Sequence, residues 1–249
     1  MSSKPMMIQY ACICHKGLVR SRNQDNLVWE WQYLPMENKG LNSPVICEKP
    51  LNDIALFGVF DGMGGEPRGD AAAYIAAKSA AHWQPAGTSE DLKELLLESN
   101  RKICEFASQN MLQCCGTTAA LLLLSGRQSV SCNLGDSKVF LFRNNRLTQL
   151  SEDHVLPLAR NGKPPLLQFL GIPETEMIIE PAMTEEILQC GDQYLICSDG
   201  LTDMLTVDRI TDCLCAPMRL DAKAESLLEG ALSAGGRDNI SAILIRVSE

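Results

Sequence analysis

Four aspartates could do chemistry in this sequence: Asp25 in RNQDN, Asp61 in VFDGMGG, Asp199 in CSDGL and Asp238 in GRDNI. Each stands beside glycine or asparagine near the end of an apolar run. A carboxylate at the end of a buried strand is costly unless something pairs with it. Several such ends brought together would crowd like charges, and hard divalent cations stabilise that arrangement. Mg²⁺ and Mn²⁺ suit all-oxygen surroundings and keep several waters. The glycines after Asp61 and Asp199 let the backbone turn sharply and approach an ion, so a carbonyl could serve as a further ligand. Taken singly, Asp-Gly is most simply a turn and Asp-Asn a cap or turn. Spacing alone does not establish convergence, so turns and a divalent-metal site both stay open on the residues alone.

The elements that must position these carboxylates follow from periodicity. Strands are expected over Met7–His15, Asn26–Tyr33 and Ile54–Asp61, the last (IALFGVFD) apolar enough to be buried on both faces. Helices are expected over Glu66–Trp83, with Pro67 in the first turn, and over Ser89–Asn110, where Thr88 and Asp91 have the spacing of a capping box. Further strands read as Thr117–Leu124, Ser129–Asn133, Lys138–Arg143, Arg146–Leu150, Tyr194–Ser198 and Ile240–Val247, with a two-residue turn at Asn144–Asn145. Short helices fit Leu201–Leu205, Val207–Cys215 and Asp221–Ser233. Residues 34–53, rich in Pro, Asn and Lys, read as a loop or hairpin insertion. Strands flanking two helical blocks without regular β-α-β alternation imply an α+β fold.

Composition narrows the function classes. The chain has 249 residues, of which 45% are apolar and 21% charged, which suits a folded globular chain. Its net charge of −9 and 5% aromatic content argue against nucleic acid as partner. The N-terminus has no apolar run of signal-peptide length and no segment approaches a membrane span, so a soluble, cytoplasmic chain without membrane contact is expected. Eleven cysteines in that compartment read as reduced packing residues rather than a disulfide framework. Cys12, Cys14 and His15 could ligate a metal, but core-facing thiols on a strand are the simpler account.

The ordered motifs resemble the protein phosphatase 2C family, the metal-dependent Ser/Thr protein phosphatases (PPM), in its bacterial form. They run from Gly17 to Asp25 (GLVRSRNQD), through FDGMGG at Phe60–Gly65, GTTA at Gly116–Ala119, NLGDSK at Asn133–Lys138, Asp153-His154, Leu170-Gly171, Gly191-Asp192 and CSDGLTD at Cys197–Asp203, to Arg237-Asp238-Asn239. That span covers essentially the whole chain and implies a single catalytic domain over 1–249. The resemblance implies a four-layer αββα sandwich, two antiparallel sheets between pairs of helices. It implies two Mn²⁺ or Mg²⁺ ions and a third, weaker one. Asp61 would bridge the pair, the Gly62 carbonyl would hold one ion, Asp199 and Asp238 the other. Asp25 would hold metal waters, Asp136 with Asp199 the third ion, and Arg20 would clamp the substrate phosphate. The implied reaction is in-line attack on phosphoserine or phosphothreonine by a hydroxide bridging the metals, without a phosphoenzyme. The implied partners are a phosphorylated protein and an opposing bacterial Ser/Thr kinase, with the chain a monomer.

Three departures stand out. Gln24 takes the place of the family's usual Glu, Met63 cannot donate a proton, and the flap region 155–169 is short. Two other readings stand beside the phosphatase: a non-catalytic binding module, and a metal-dependent nuclease or small-molecule phosphoesterase, of which the nuclease is disfavoured by the acidic charge balance and few aromatics. His15, His82 and His154 read as structural, Thr117 and Thr118 as sheet packing and Asp203 as a helix cap; Arg22, near Arg20, could widen the phosphate-binding patch but reads more simply as a solvated charge.

Overall fold

The computed structural model describes residues 6–63, 68–156 and 164–249. Its strands are β1 (Met7–His15), β2 (Asp25–Trp29), β3 (Gln32–Tyr33), β4 (Val45–Pro50), β5 (Ile54–Asp61), β6 (Ala119–Ser125), β7 (Gln128–Leu134), β8 (Lys138–Arg143), β9 (Arg146–Gln149), β10 (Ala182–Ile187), β11 (Gln193–Cys197) and β12 (Ile240–Ser248). The helices are α1 (Gly69–Ala81), α2 (Ser89–Gln109), α3 (Asp199–Thr202), α4 (Val207–Cys215) and α5 (Leu220–Ser233). The strands form two six-stranded antiparallel sheets, ordered β4-β1-β12-β11-β8-β9 and β10-β7-β6-β5-β2-β3.

Three apolar layers hold four structural layers together, and strand pleating explains why. Along β5, Phe57 and Val59 face the other sheet while Leu56 and Phe60 face α1 and α2. Such a strand is apolar throughout because neither face meets water. The central layer joins Tyr10, Leu27, Phe57, Leu122, Tyr194 and Ile245. The second seats Ala72, Ala76, Leu95 and Ile103 of α1 and α2 on their sheet. The third seats Leu201, Ile210, Leu214 and Leu227 of α3, α4 and α5 on Ile13, Leu195 and Leu244. The fold is the α+β sandwich expected from the sequence.

Local chemistry accounts for the boundaries. Thr88 and Asp91 form a full capping box on α2. Asn144 and Asn145 both take left-handed φ, 54° and 58°, as a type I′ turn requires. The run Asn26–Tyr33 is not one strand. It breaks at Glu30 and Trp31, whose φ values are also positive, a turn that lacks the usual Gly or Asn and so left no mark in the sequence. Within residues 34–53 lies β4, which pairs with β1, so this segment carries the chain from the edge of one sheet to the edge of the other. Strand β10 was not expected; it is an edge strand exposed at alternate positions. Helix α1 begins at Gly69, after Arg68 in the left-handed region, and residues 64–67, which include the expected start at Glu66 and Pro67, lie outside the described residues, as do 157–163 of the flap region. Among the described residues no helix is long and apolar enough to cross a membrane.

Candidate metal centre

Antiparallel pairing brings the chemical residues to one end of the sandwich. In one sheet β2 starts where β5 stops, so Asp25 and Asp61 are register partners. In the other, β11 stops where β12 starts, which sets Asp199 just beyond the end of β11 and Asp238 just before β12. The sheets are tied at this end by Ser198, whose Oγ donates to Asp25 Oδ2 at 2.9 Å and accepts from Ser241 N at 3.0 Å. A second tie joins Thr118 Oγ1 and Ser137 Oγ at 2.7 Å.

Asp25 is buried, and its Oδ1 has no hydrogen-bond partner. Burial, followed by the charge of Asp61, holds its carboxyl well above the usual range, against hydrogen bonds from Ser241 and Ser198 that favour the ionised form. The backbone of Asp61 is clamped: its N–H donates to Thr118 Oγ1 at 3.1 Å and its carbonyl accepts from Thr117 Oγ1 at 2.9 Å. Gly62 is pressed against the start of α1 and the backbone of Gln24, where an added Cβ would lie 2.4 Å from the Gly69 carbonyl oxygen and 2.6 Å from that of Gln24. Asp199 is buried in the first turn of α3. At Gly200 a Cβ would sit 1.9 Å from the Asn239 carbonyl oxygen and 3.3 Å from Asp238 Cβ, so only glycine lets these two loops touch.

Arg20 Nη2 meets Asp238 Oδ2 at 2.6 Å, and that bond raises the arginine pKa further. A cleft of about 190 Å³ opens here, lined by Arg20, Asp61, Met63, Thr118, Asp136, Pro164, Leu166 and Asp238. The structure therefore gathers Arg20, Asp61, Asp136 and Asp238 around one cleft. Asp25 (the register partner of Asp61), Gly62 and Asp199 are not among the described residues that line the cleft; Gly62 follows Asp61 in the chain, and Asp199 precedes the Gly200 backbone that abuts Asn239. Among the described residues no three His, Cys, Asp or Glu side chains close around a single point as a finished cage. The donor set still fits hard divalent cations: it is all oxygen, and it includes one buried carboxylate oxygen with no protein partner. A larger cleft of about 780 Å³ lies at Trp31, Ile54, Trp83 and Gly126, where Asp53 is the lone carboxylate among the described lining residues.

Two contributors were not singled out as functional in the sequence. Thr118, read as packing, lines the cleft and holds Asp61. Asn239 organises the loop bearing Arg20: its Oδ1 accepts from Gln24 N, and its Nδ2 donates to the carbonyls of Lys16 and Arg22. The Asp-Asn dipeptide before β12 was the available signal. His154 is structural, its Nδ1 accepting from Gly135 N at 3.2 Å. Cys12, Cys14 and Cys197 are buried, and none of the eleven cysteines forms a disulfide. Burial lifts the Cys14 and Cys197 thiols to about 12, which keeps them protonated at neutral pH. The flap region is closed at its base by a Val155–Leu166 bridge.

A family model described as Protein phosphatase 2C matches residues 33–157. The Serine/threonine phosphatase stp of Listeria welshimeri is 32% identical over 256 residues, covering 92% of each chain. The structure of a serine/threonine phosphatase of S. agalactiae superposes with a TM-score of 0.78 at 25% identity, over 97% of this chain and all of that one. The catalytic domain of the phosphatase PstP, solved in complex with two manganese ions, gives 0.77 at 25% identity over 98% of this chain and all of that one.

Proposed function

This chain belongs to the protein phosphatase 2C family, as a metal-dependent protein serine/threonine phosphatase, and we propose that its work is done in the cleft between Arg20 and Asp61. The observation that carries this placement is the meeting of one arginine with Asp61, Asp136 and Asp238 in a single cleft above the buried Asp25. Asp61, Asp199, Asp238 and the Gly62 carbonyl would hold a pair of Mn²⁺ or Mg²⁺ ions. Asp25 would act through their waters, and Asp136 would help hold a third ion. Bound ions of this kind supply charge neutralisation for phosphate and a water ionisable near neutral pH.

The chain's own groups do the rest. Arg20 presents a planar fork that can take two phosphate oxygens in parallel hydrogen bonds. Asp238 holds that guanidinium over the cleft, and Asn239 holds the loop it stands on. Thr117 and Thr118 fix Asp61 through its backbone, so its carboxylate enters the reaction already oriented. Met63 lines the cleft and has no proton to give, so the departing serine or threonine oxygen takes its proton from water.

The whole chain reads as one catalytic domain, monomeric and cytoplasmic, opposing a Ser/Thr kinase. The free cysteines support a reducing compartment. Release of phosphate from a phosphothreonine peptide in the presence of Mn²⁺ tests the assignment. A chelator should abolish it, and Asp61→Asn should lower kcat at least about 100-fold with the circular dichroism spectrum kept. Turnover that survives either treatment would sink the placement.

A further inference from the structure

A second cleft, of about 460 Å³, adjoins the loop that carries Arg20. Its walls bring together three cations from two loops: Lys16 and Arg22 from the β1–β2 connection and Lys39 from the β3–β4 connection. Among the described residues none of the three forms an ion pair. Lys16 Nζ instead donates to the carbonyl of Arg20 at 2.9 Å, which ties this wall to the phosphate-binding arginine. Two carboxylates share the cleft. Asp70 is already engaged by Arg68 Nε at 3.3 Å and by Ala71 N at 2.9 Å. Glu37 stands exposed and opposes one of the three charges.

The cleft is built on a fixed floor. Asn38 Oδ1 accepts from Asn23 Nδ2 at 2.7 Å and from Gly40 N at 3.1 Å, while its Nδ2 donates to the Asp25 carbonyl at 3.1 Å. Lys39 therefore follows a residue anchored to the same backbone that carries the metal-site carboxylate. In a chain of net charge −9, a cleft lined by three cations and two carboxylates is a local reversal of sign.

We propose that this cleft is an anion subsite of the phosphatase: it takes a second anionic side chain of the substrate, within a few residues of the phosphoserine or phosphothreonine seated at Arg20. Arg22 is two residues from Arg20, so their Cα atoms are at most about 7 Å apart and the two clefts are lined from one and the same loop. The shared chemistry is a carboxylate or a second phosphate. The inference rests on the phosphatase reading and adds a preference to it.

Three phosphothreonine peptides, alike except for Gln, Glu or phosphoserine two or three residues away, separate the outcomes. The Mn²⁺-loaded enzyme should favour the anionic peptides by about 5-fold in kcat/KM, carried by KM and eroded by salt. Arg22→Gln with Lys39→Gln should erase that preference while the Gln peptide and a small aryl phosphate turn over as before. A gain for both anionic peptides assigns the cleft to any side-chain anion, and a gain for phosphoserine alone assigns it to a second phosphate. No preference in the wild type, or a preference kept by the double variant, overturns the proposal. Should no peptide be hydrolysed, the phosphatase reading fails on its own. Binding of the Glu and Gln peptides to the metal-free protein, followed by fluorescence anisotropy, then decides the subsite: tighter binding of the Glu peptide that Arg22 and Lys39 account for supports it, equal binding refutes it.

Discussion

Single residues here act through what their neighbours allow. Gln24 shows this best. Its carbonyl accepts from Gly62 N at 3.2 Å, and its side-chain nitrogen lies 2.8 Å from where a Cβ on Gly69 would stand. It thus sits against the backbone of the Asp61–Gly62 turn with a neutral amide where its family usually has a carboxylate. Restoring the charge with Gln24→Glu should tighten Mn²⁺ binding by about 10-fold, read by calorimetry without substrate. Identical affinities would mean that this position does not reach the ions. The motif residues were legible in the sequence because each needs a particular side chain or none. Thr118 and Asn239 were less legible because they act through backbone atoms of other loops, and nothing in a Thr-Thr or Asp-Asn pair says which loop that is.

The elements divide by whether local chemistry or a distant partner shapes them. Helix α2 is a local element: Thr88 accepts from Asp91 N, and Asp91 accepts from Thr88 N at 2.7 Å. Thr88→Ala should cost about 1 kcal/mol, seen as a lower urea midpoint with an unchanged slope. An unaltered midpoint would show that packing of Leu92, Leu95 and Leu96 alone holds the helix start. Strand β1 and strand β5 were readable for a related reason, since their apolar runs admit no other placement. Strand β4 and strand β10 were not, because each lies at a sheet edge and owes its extended form to hydrogen bonds from β1 and β7. Short, half-polar edge strands carry weak periodicity, so their existence is decided by the neighbour.

At the scale of the whole molecule, the layered interior sets the response to pH. Cys14, Cys132 and Cys197 lie in closed layers where burial lifts their thiols to about 12, from an ordinary 9.0. An acid held above its unfolded pKa contributes stability that is complete below pH 9 and lost as pH rises toward 12, because only the unfolded chain releases the proton there. Lys223 works in the opposite sense. Its burial holds it below 10.5, so the folded state gains as pH rises toward that value. Three thiols outweigh one amine, and unfolding midpoints measured under reductant should fall steadily from pH 9 to pH 11. Each thiol contributes a slope of up to about 1.4 kcal/mol per pH unit. A flat profile would mean that the native state admits water to these sulfurs. The sequence by itself determined which strands are buried on both faces, where α2 starts, the Asn-Asn turn and the motif aspartates, since each is a matter of side-chain type and short spacing. Only the tertiary structure decided that Asp25 faces Asp61, that Gly200 lets Asp199 approach Asp238, and that Lys16, Arg22 and Lys39 share a cleft. The same end of the sandwich also joins Arg20 to Asp238, 218 positions apart in the sequence. The register of two packed sheets is a collective result of the whole core, and no local stretch of sequence encodes it.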